Sequence, residues 1–250
     1  HLIILILALI ILSIPPIVRV LNYGSNPIGS LAYYDMRISS QIQSHGYISH
    51  DELAYGGSDY SVDTYHYILA FFSNILPVIL IIFILPILLG LLSVHIFYLL
   101  IKKITNKRSV ANLSTLIYVL SPIFIYLFCF PNHHYIPVLL NLVIAFLLIS
   151  EKKKIFSLLL CLIVPLFGIK HALVLLAFFI TLAFYKKSQR KQILWHSIVL
   201  IISALFYYVP IYLLYGIQKT QLIEKINLFN SFVTDFGALV SFSIFFIMLS

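Results

Sequence analysis

Charged residues are scarce in this chain. They make up 10% of its 250 residues, whereas hydrophobic residues make up 62%; a soluble domain carries about a quarter charged residues. So little polar surface excludes a soluble enzyme, a disordered chain, a coiled coil and a nucleic-acid-binding domain. Apolar runs such as 67–101 and 155–185 are long and lack the ~10-residue alternation of an outer-membrane barrel. They predict helices that the bilayer solvates.

Cysteine is also rare. Cys129 and Cys161 both lie inside apolar runs, and two cysteines without metal-ligand spacing exclude a disulfide framework, so we expect core residues. The first apolar segment, 2–20, lacks a basic leader and a small-residue cleavage site, which favours a membrane span over a removable signal peptide. Because the chain opens with His and closes inside an apolar run, we expect it to be part of a longer protein.

The apolar segments predict an all-α, polytopic membrane bundle with about eight spans. Basic segments 102–108, 151–154 and 186–191 hold eleven of the sixteen Lys and Arg residues, and the positive-inside rule places them in the cytoplasm. Residues 155–185 must then form a short hairpin, broken at Pro165 and Gly168, with arms of ~23 Å. The expected spans are 2–20, 76–101, 109–128, 136–150, 155–168, 169–185, 193–215 and 236–250.

Seven of the eight acidic residues fall on the opposite, outer side of this topology. They are Asp35, Asp51, Glu52, Asp59, Asp63, Glu224 and Asp235. The first outer loop covers 21–66, and in it "SLAYYDMRISSQIQSHG" has apolar residues at helical spacing before a glycine. This pattern predicts an interfacial amphipathic helix. The acidic residues suit a reaction that needs carboxylates at the outer face.

The second outer loop, 128–136, contains the densest polar cluster, Asn132, His133 and His134. Neutral imidazole binds Zn and Mn alike, so the two histidines are candidate metal ligands, and the alternative is that both hydrate a short turn. Lys170 at the hairpin tip either binds an anion or extends to the membrane surface. His95, inside a span, is expected to be a packed, hydrogen-bonded histidine.

Three segments resemble the GT-C class of membrane glycosyltransferases, above all the catalytic subunit of archaeal and bacterial oligosaccharyltransferases. "PNHH" is similar to that family's acidic-His-His turn, "AYYDMRISSQIQSHG" to its first outer loop, and "QLIEKINLFNSFVTDFG", in the later outer loop 216–235, to its fifth. The matches occur in the family's order on one face, over roughly residues 20–250. The family's C-terminal soluble domain has no counterpart, so 1–250 is expected to be a GT-C-like transmembrane domain.

The resemblance implies a divalent cation, Mn or Mg, and places the family's first-loop aspartate on Leu31. Either Asp35 or Asp51 replaces that aspartate, or the position is lost. Glu224 is expected to complete the metal site and engage the acceptor. The implied residues are Asp35, Asp51 and Glu224 for catalysis; Asp35, Asn132, His134 and Glu224 for the metal; Arg37 and Lys170 for the donor phosphate; and Tyr33, Tyr34 and His133 for the substrate cleft.

The function implied by the resemblance is transfer of a sugar or oligosaccharide from a polyprenyl-(di)phosphate-linked donor. The acceptor is a protein or glycan at the outer face of the plasma membrane, and no nucleic acid takes part. A transferase that uses a polyprenyl-phosphate monosaccharide is the second interpretation. A third interpretation, a transporter of lipid-linked sugars, would require mid-membrane charges and an inverted repeat. The predicted spans are nearly free of charged residues, which argues against it. A catalytically inactive, lipid-binding relative is consistent with Asn132 at the family's acidic position.

Overall fold

The computed structural model describes residues 1–24, 30–48, 50–51, 53, 58–59, 63–129, 132–151 and 154–215. Within these ranges the chain is mainly helical, as the composition predicts. The helices are α1 (Leu2–Tyr23), α2 (Ser30–His45), α3 (Thr64–Ser73), α4 (Val78–Thr105), α5 (Arg108–Leu120), α6 (Pro122–Cys129), α7 (Tyr135–Ser150), α8 (Lys154–Ile163), α9 (Ile169–Tyr185) and α10 (Arg190–Tyr215), with 3₁₀ turns at Val164–Phe167 and Lys187–Gln189. A two-residue antiparallel ribbon pairs β1 (His50–Asp51) with β2 (Ser58–Asp59).

Three helical segments of the described chain are long and apolar enough to cross a membrane. They are Leu2–Asn22, Val78–Thr105 and Lys187–Leu213, with 21, 28 and 27 residues, and a span needs about 20. The bent pair α5–α6 makes a fourth if it crosses as one unit. Helices α7, α8 and α9 are apolar but shorter, and the predicted span 236–250 lies outside the described residues. The described part of the chain thus has the character of a membrane protein, with three or four segments long enough to span the bilayer, and the predicted number of about eight spans is not confirmed.

The predicted span 109–128 is broken between α5 and α6, where the chain bends by 61°. Ser121 adopts an extended conformation with ψ 136°, because the ring of the following Pro122 disfavours helical geometry in the residue before it. Pro122 itself opens α6, where its missing N–H leaves no hydrogen bond unmade. Pro122 therefore divides the predicted span 109–128 into two helices.

The segment between α8 and α9 is broken as the sequence predicts. A 3₁₀ turn contains Pro165, and Gly168 follows with φ +132°, a conformation that L side chains rarely adopt. Helix α10 lies alongside α8 and runs in the same direction. Three side chains of α10 mark the register: His196 contacts the Ser157 hydroxyl, while Ser203 and Tyr208 donate to the carbonyls of Leu162 and Pro165.

These contacts give the bundle two distinct ends. At one end, the Thr64 hydroxyl donates to the Leu166 carbonyl, 3.0 Å away, so the start of α3 lies beside the hairpin tip. At the other end, Gln189 donates to the Glu151 carboxylate, and Arg190 Nε donates to the Ala183 carbonyl. The basic segment 186–191 therefore lies at the end opposite the hairpin tip.

Two apolar clusters hold the helices together. One joins α1, α4 and α6 and includes Leu12, Val94 and Phe128; the other joins α7 and α9 and includes Leu148 and Phe179. Both cysteines are buried and unoxidised, which confirms their prediction as core residues. Large apolar side chains also remain exposed on the outer faces of the helices, as a lipid-facing surface requires. They include Leu2, Ile6, Leu88, Phe184, Trp195, Ile202 and Phe206.

Helix α2 confirms the predicted amphipathic helix and its end at glycine. Ile38 and Ile42 are buried and pack with Ala70 of α3, whereas Ser40 and Ser44 on the other face are exposed. Gly46 follows the last turn with φ +79° and donates its N–H to the Ile42 carbonyl at 2.8 Å. This packing fixes the orientation of α2 against α3 and so places the polar residue Asp35.

Candidate functional site

The beginning of α3 brings two polar side chains together. Asp63 is the N-cap of α3, and its Oδ1 accepts a hydrogen bond from the Tyr65 N–H at 2.8 Å. Aspartate is favoured there because it satisfies a helix N–H that has no intrahelical partner. His66 follows in the first turn and is buried. The capping contact thus fixes Asp63 and His66 at one end of the bundle.

Asp35 of α2 meets two histidines that are distant in sequence. Its Oδ1 lies 2.9 Å from His66 Nε2 and 3.0 Å from His133 Nε2, which belongs to the turn before α7. One ligand atom from each of the three residues lies within 4.8 Å of the others. With Asp63, these residues form what we call the Asp35 cluster (Asp35, Asp63, His66 and His133).

His133 connects the two carboxylates of the Asp35 cluster. Its Nδ1 lies 2.6 Å from Asp63 Oδ2, and its Nε2 faces Asp35. Burial acts to lower the pKa of His133, but hydrogen bonds to both aspartates outweigh burial and raise the pKa to about 10. Burial conversely acts to raise the pKa of Asp35, but its hydrogen bonds with His133 and His66 hold that pKa below its usual value. Without a cation, His133 is therefore an imidazolium between two carboxylates at neutral pH.

One carboxylate oxygen of Asp35 accepts no hydrogen bond from the described residues. Asp35 is completely buried, yet its Oδ2 has no hydrogen-bond partner within the described part of the chain. A buried carboxylate oxygen without a donor is unfavourable by about 1–3 kcal/mol or more. The side chains of His133 and Asp63 remain 20% and 30% exposed, so the cluster is buried on one side and open on the other. This arrangement suits a bound ligand that enters from the surface.

Asn132 stabilises the turn that carries His133. Its Nδ2 donates to the Leu127 carbonyl at 2.9 Å, and its Oδ1 accepts from the His134 N–H at 2.8 Å. Asn132 is buried, with 7% exposure. Both ends of the predicted ligand amide are thus engaged in holding the turn, and the amide orients the histidines that follow.

His134 forms a second histidine pair beside the Asp35 cluster. Its Nδ1 lies 3.0 Å from His171 Nε2, at the beginning of α9. Lys170, predicted to bind the donor phosphate, precedes His171 and is exposed. Among the described residues, the group of three able to hold a metal ion contains Asp35, His66 and His133 but not His134.

The other predicted carboxylate of the first loop, Asp51, pairs with Arg37. The Arg37 guanidinium donates two hydrogen bonds, of 2.6 and 2.7 Å, to the two oxygens of Asp51. The Asp51 side chain is 1% exposed, and the guanidinium also lies over the Tyr34 ring, 5.4 Å from its centroid. Asp51, predicted for catalysis, and Arg37, predicted for the phosphate, are thus joined in one bidentate ion pair.

The structure brings together some of the predicted residues and separates others. Asp35 and His133 meet directly, and the Tyr34 ring lies edge-on to His66, with centroids 5.5 Å apart. Tyr33 is half exposed on α2. Glu224 lies outside the described residues. His95, in α4, contacts His1, 3.1 Å away.

Sequence reasoning missed His66 and the role of Asp63. The available signal was "VDTYHY", in which an aspartate precedes a helix and a histidine follows three residues later. An N-cap aspartate predicts where the helix starts and hence that His66 lies in its first turn. The pattern gives no indication that this turn faces Asp35, because that contact depends on how α2 packs against α3.

The Asp35 cluster has the composition of a divalent-cation site. Imidazole nitrogen and carboxylate oxygen are common ligands of such ions, the Asp35 Oδ2 atom has no other partner among the described residues, and Asp63 supports His133 from behind. These features fit the cation that the resemblance implies. A comparison with protein-family models, curated proteins and solved structures finds no match to this chain.

Proposed function

We propose that this chain is the transmembrane domain of a GT-C-type glycosyltransferase. It transfers a sugar or oligosaccharide from a polyprenyl-(di)phosphate-linked donor to a protein or glycan acceptor. The observation that supports this proposal is the meeting of Asp35 and His133 in one buried polar cluster. These residues come from two of the three segments that carry the resemblance to the family's outer loops. A transferase with catalytic groups on separate loops requires such a meeting.

The proposed topology has about eight spans in the plasma membrane, with the Asp35 cluster at the extracytoplasmic face. The shorter helices α7, α8 and α9 and the bent pair α5–α6 then cross as short or kinked spans. The position of the basic segment 186–191, at the end of the bundle opposite the hairpin tip, supports this orientation, because positive loops stay in the cytoplasm. The donor headgroup would approach at the level of Lys170.

The chemistry of the site divides between a cation and the side chains. A divalent cation, Mn or Mg in the resemblance, would be held by Asp35, His66 and His133 and would neutralise charge on the departing phosphate. Asp63 keeps a proton on His133 Nδ1 and so fixes the orientation of the ring. Tyr65 packs against that ring, with centroids 4.7 Å apart. Glu224 is the proposed group that orients the acceptor or takes its proton.

A transfer assay tests this function. The full chain, in liposomes, is incubated with polyprenyl-linked sugars and a divalent cation, with and without chelator. We expect transfer that chelator and Asp35→Asn both abolish. The matched control is Glu151→Gln, which removes one acidic charge at the far end of α7, about 24 Å away for sixteen helical residues.

Two outcomes would contradict the proposal. One is transfer that Asp35→Asn leaves intact. The other is a folded protein that transfers nothing from any donor yet binds donor lipid regardless of chelator, which would indicate an inactive, lipid-binding relative.

A further inference from the structure

We infer that Asp35, His66 and His133 form a site for a first-row transition-metal dication, and that this site disfavours Mg²⁺ and Ca²⁺. Asp63 is the positioning residue that orients His133 toward the ion. The inference deepens the proposed function, on which its role in transfer rests. It keeps Asp35 from the ligand set predicted from the sequence and proposes His66 and His133 in place of Asn132, His134 and Glu224. It also specifies the class of ion.

The distances within the cluster already match those between ligands of one ion. Ligand atoms that each lie about 2.0–2.2 Å from a small dication are about 3 Å apart. Asp35 Oδ1 lies 2.9 Å from His66 Nε2 and 3.0 Å from His133 Nε2. Asp35 Oδ2, which has no hydrogen-bond partner among the described residues, adds a second oxygen on the same carboxylate. An ion can therefore bind with small side-chain movements and without a backbone change.

Asp63 supplies the outer contact that metal-binding histidines usually have. In metal sites, a ligand histidine commonly donates its other ring N–H to a carboxylate, which fixes the tautomer and raises the basicity of the ligand nitrogen. Asp63 Oδ2 lies 2.6 Å from His133 Nδ1. Because Asp63 is itself held as the N-cap of α3, the orientation of His133 is determined by the start of that helix.

The ligand types determine the class of ion. Two of the three ligand residues offer imidazole nitrogen, which suits Zn, Cu, Fe and Ni, whereas Mg and Ca prefer oxygen ligands and water. The side-chain amide of Asn132, a ligand predicted from the sequence, donates to the Leu127 carbonyl and accepts from the His134 N–H. His134 is directed toward His171. The described residues around Asp35 thus provide two imidazole nitrogens and one carboxylate, and three protein ligands leave positions open for water or a donor phosphate.

The first test uses the wild-type chain in detergent after removal of metal. Equilibrium dialysis with metal analysis measures one-site affinity for Zn²⁺, Co²⁺, Mn²⁺ and Mg²⁺. We expect affinity to fall in that order, with Mg²⁺ at least about 100-fold weaker than Co²⁺. Pulsed electron paramagnetic resonance of the Mn²⁺-loaded protein should detect directly bound nitrogen. Equal affinity for Mg²⁺ and Co²⁺, or a bound ion without nitrogen ligands, would overturn the inference.

The second test identifies the ligands by substitution. Asp63→Asn should weaken Co²⁺ binding about 10- to 100-fold, and His66→Gln and Asp35→Asn should weaken it further. The control His95→Gln, in α4, should not change affinity. If the ligands predicted from the sequence were correct, His134→Gln and Glu224→Gln would lose affinity for Co²⁺ and His66→Gln would keep it. That result would overturn the inference. Size-exclusion profiles check that each variant is folded. The paramagnetic-resonance measurement on the wild-type protein tests the ligands even if a variant fails to fold.

The two proposals fail in different ways. Transition-metal binding at the Asp35 cluster without any sugar transfer would uphold this inference and contradict the glycosyltransferase. Sugar transfer that persists in a metal-free protein, together with no saturable Co²⁺ binding in dialysis, would contradict the cation site and leave the transferase standing. Dialysis and the transfer assay, performed on one preparation, separate these results.

Discussion

Asp35 and Asp51 are both buried aspartates of the segment between α1 and α3, yet their surroundings differ. Asp51 accepts hydrogen bonds on both of its oxygens from two guanidinium nitrogens of Arg37. Asp35 contacts two histidines through one oxygen, and its second oxygen has no partner among the described residues. The two side chains are thus equally buried, and their hydrogen bonds differ. A carboxylate whose oxygens are all satisfied stabilises a loop, whereas one with an oxygen left over can bind a ligand.

The first prediction tests Asp35 directly and has the largest expected effect. Asp35→Asn should lower the rate of sugar transfer at least about 100-fold, because it removes the charge that faces both histidines. The free energy of unfolding, measured in mixed micelles with chelator present, should change less than in Asp51→Asn. The comparison between the two aspartates would be wrong if Asp51→Asn lost transfer while Asp35→Asn kept it.

The second prediction concerns the Arg37–Asp51 pair. Arg37→Ala leaves the buried Asp51 carboxylate without its bidentate donor and should destabilise the protein by about 2 kcal/mol. This is less than the 3–5 kcal/mol of a fully buried pair, because the Arg37 side chain is 27% exposed. A double-mutant cycle with Asp51→Ala, followed by chemical unfolding, measures the coupling. Additive effects of the two substitutions would show that the pair contributes nothing.

The third prediction separates packing of the bundle from the Asp35 cluster. Gly90 of α4 has no room for a side chain: an added Cβ would lie 2.7 Å from Leu12 Cδ1 and 3.0 Å from Phe128 Cβ. Gly90→Ala should therefore destabilise the protein by about 1.5 kcal/mol through overpacking. Co²⁺ affinity, measured by dialysis, should stay unchanged. A weakened ion affinity would mean that the α1–α4–α6 core, as well as the loops, determines the geometry of the cluster.

The fourth prediction has the smallest expected effect and concerns the end of α2, the helix that carries Asp35. Gly46 has φ +79°, and an added Cβ would meet no described atom within 4 Å, so Gly46→Ala meets backbone strain alone, about 1 kcal/mol. Gly46→Asn should be milder, because asparagine tolerates the left-handed region. Thermal unfolding of the two variants measures the difference. Equal stability of wild type and Gly46→Ala would show that α2 can end in another way.

Much of the secondary structure could be predicted from local patterns. The amphipathic spacing of Ile38 and Ile42 and the following Gly46 predicted α2 and its end, and Pro165 with Gly168 predicted the break between α8 and α9. The predicted span 109–128 consists of two helices that bend by 61° at Pro122 and together are apolar enough to cross a membrane. Periodicity reports local burial, and it does not report how a proline redirects the chain.

The candidate site could be predicted only in part. Asp35 and the turn that contains His133 and His134 could be predicted as candidate ligands, because carboxylates and imidazoles are rare in so apolar a chain. Asp35 is separated along the sequence by 31 residues from His66 and by 98 residues from His133. Local residue spacing cannot predict contacts over such separations. His133 and His134 are adjacent in the turn, yet His133 contacts Asp35 and Asp63 whereas His134 contacts His171.

The sequence by itself determined the solvent of this protein and its helical character, because apolar runs longer than a bilayer span have no other stable environment than lipid or a large core. It also determined that the few polar residues cluster in loops. Tertiary structure alone decided which of them meet. Packing of α2 on α3 and capping of α3 by Asp63 place His66 and His133 against Asp35, while Arg37 binds Asp51. The physical reason is that hydrogen bonds and ion pairs act only over a few ångströms, so a polar side chain acquires its role from the neighbour that the fold provides.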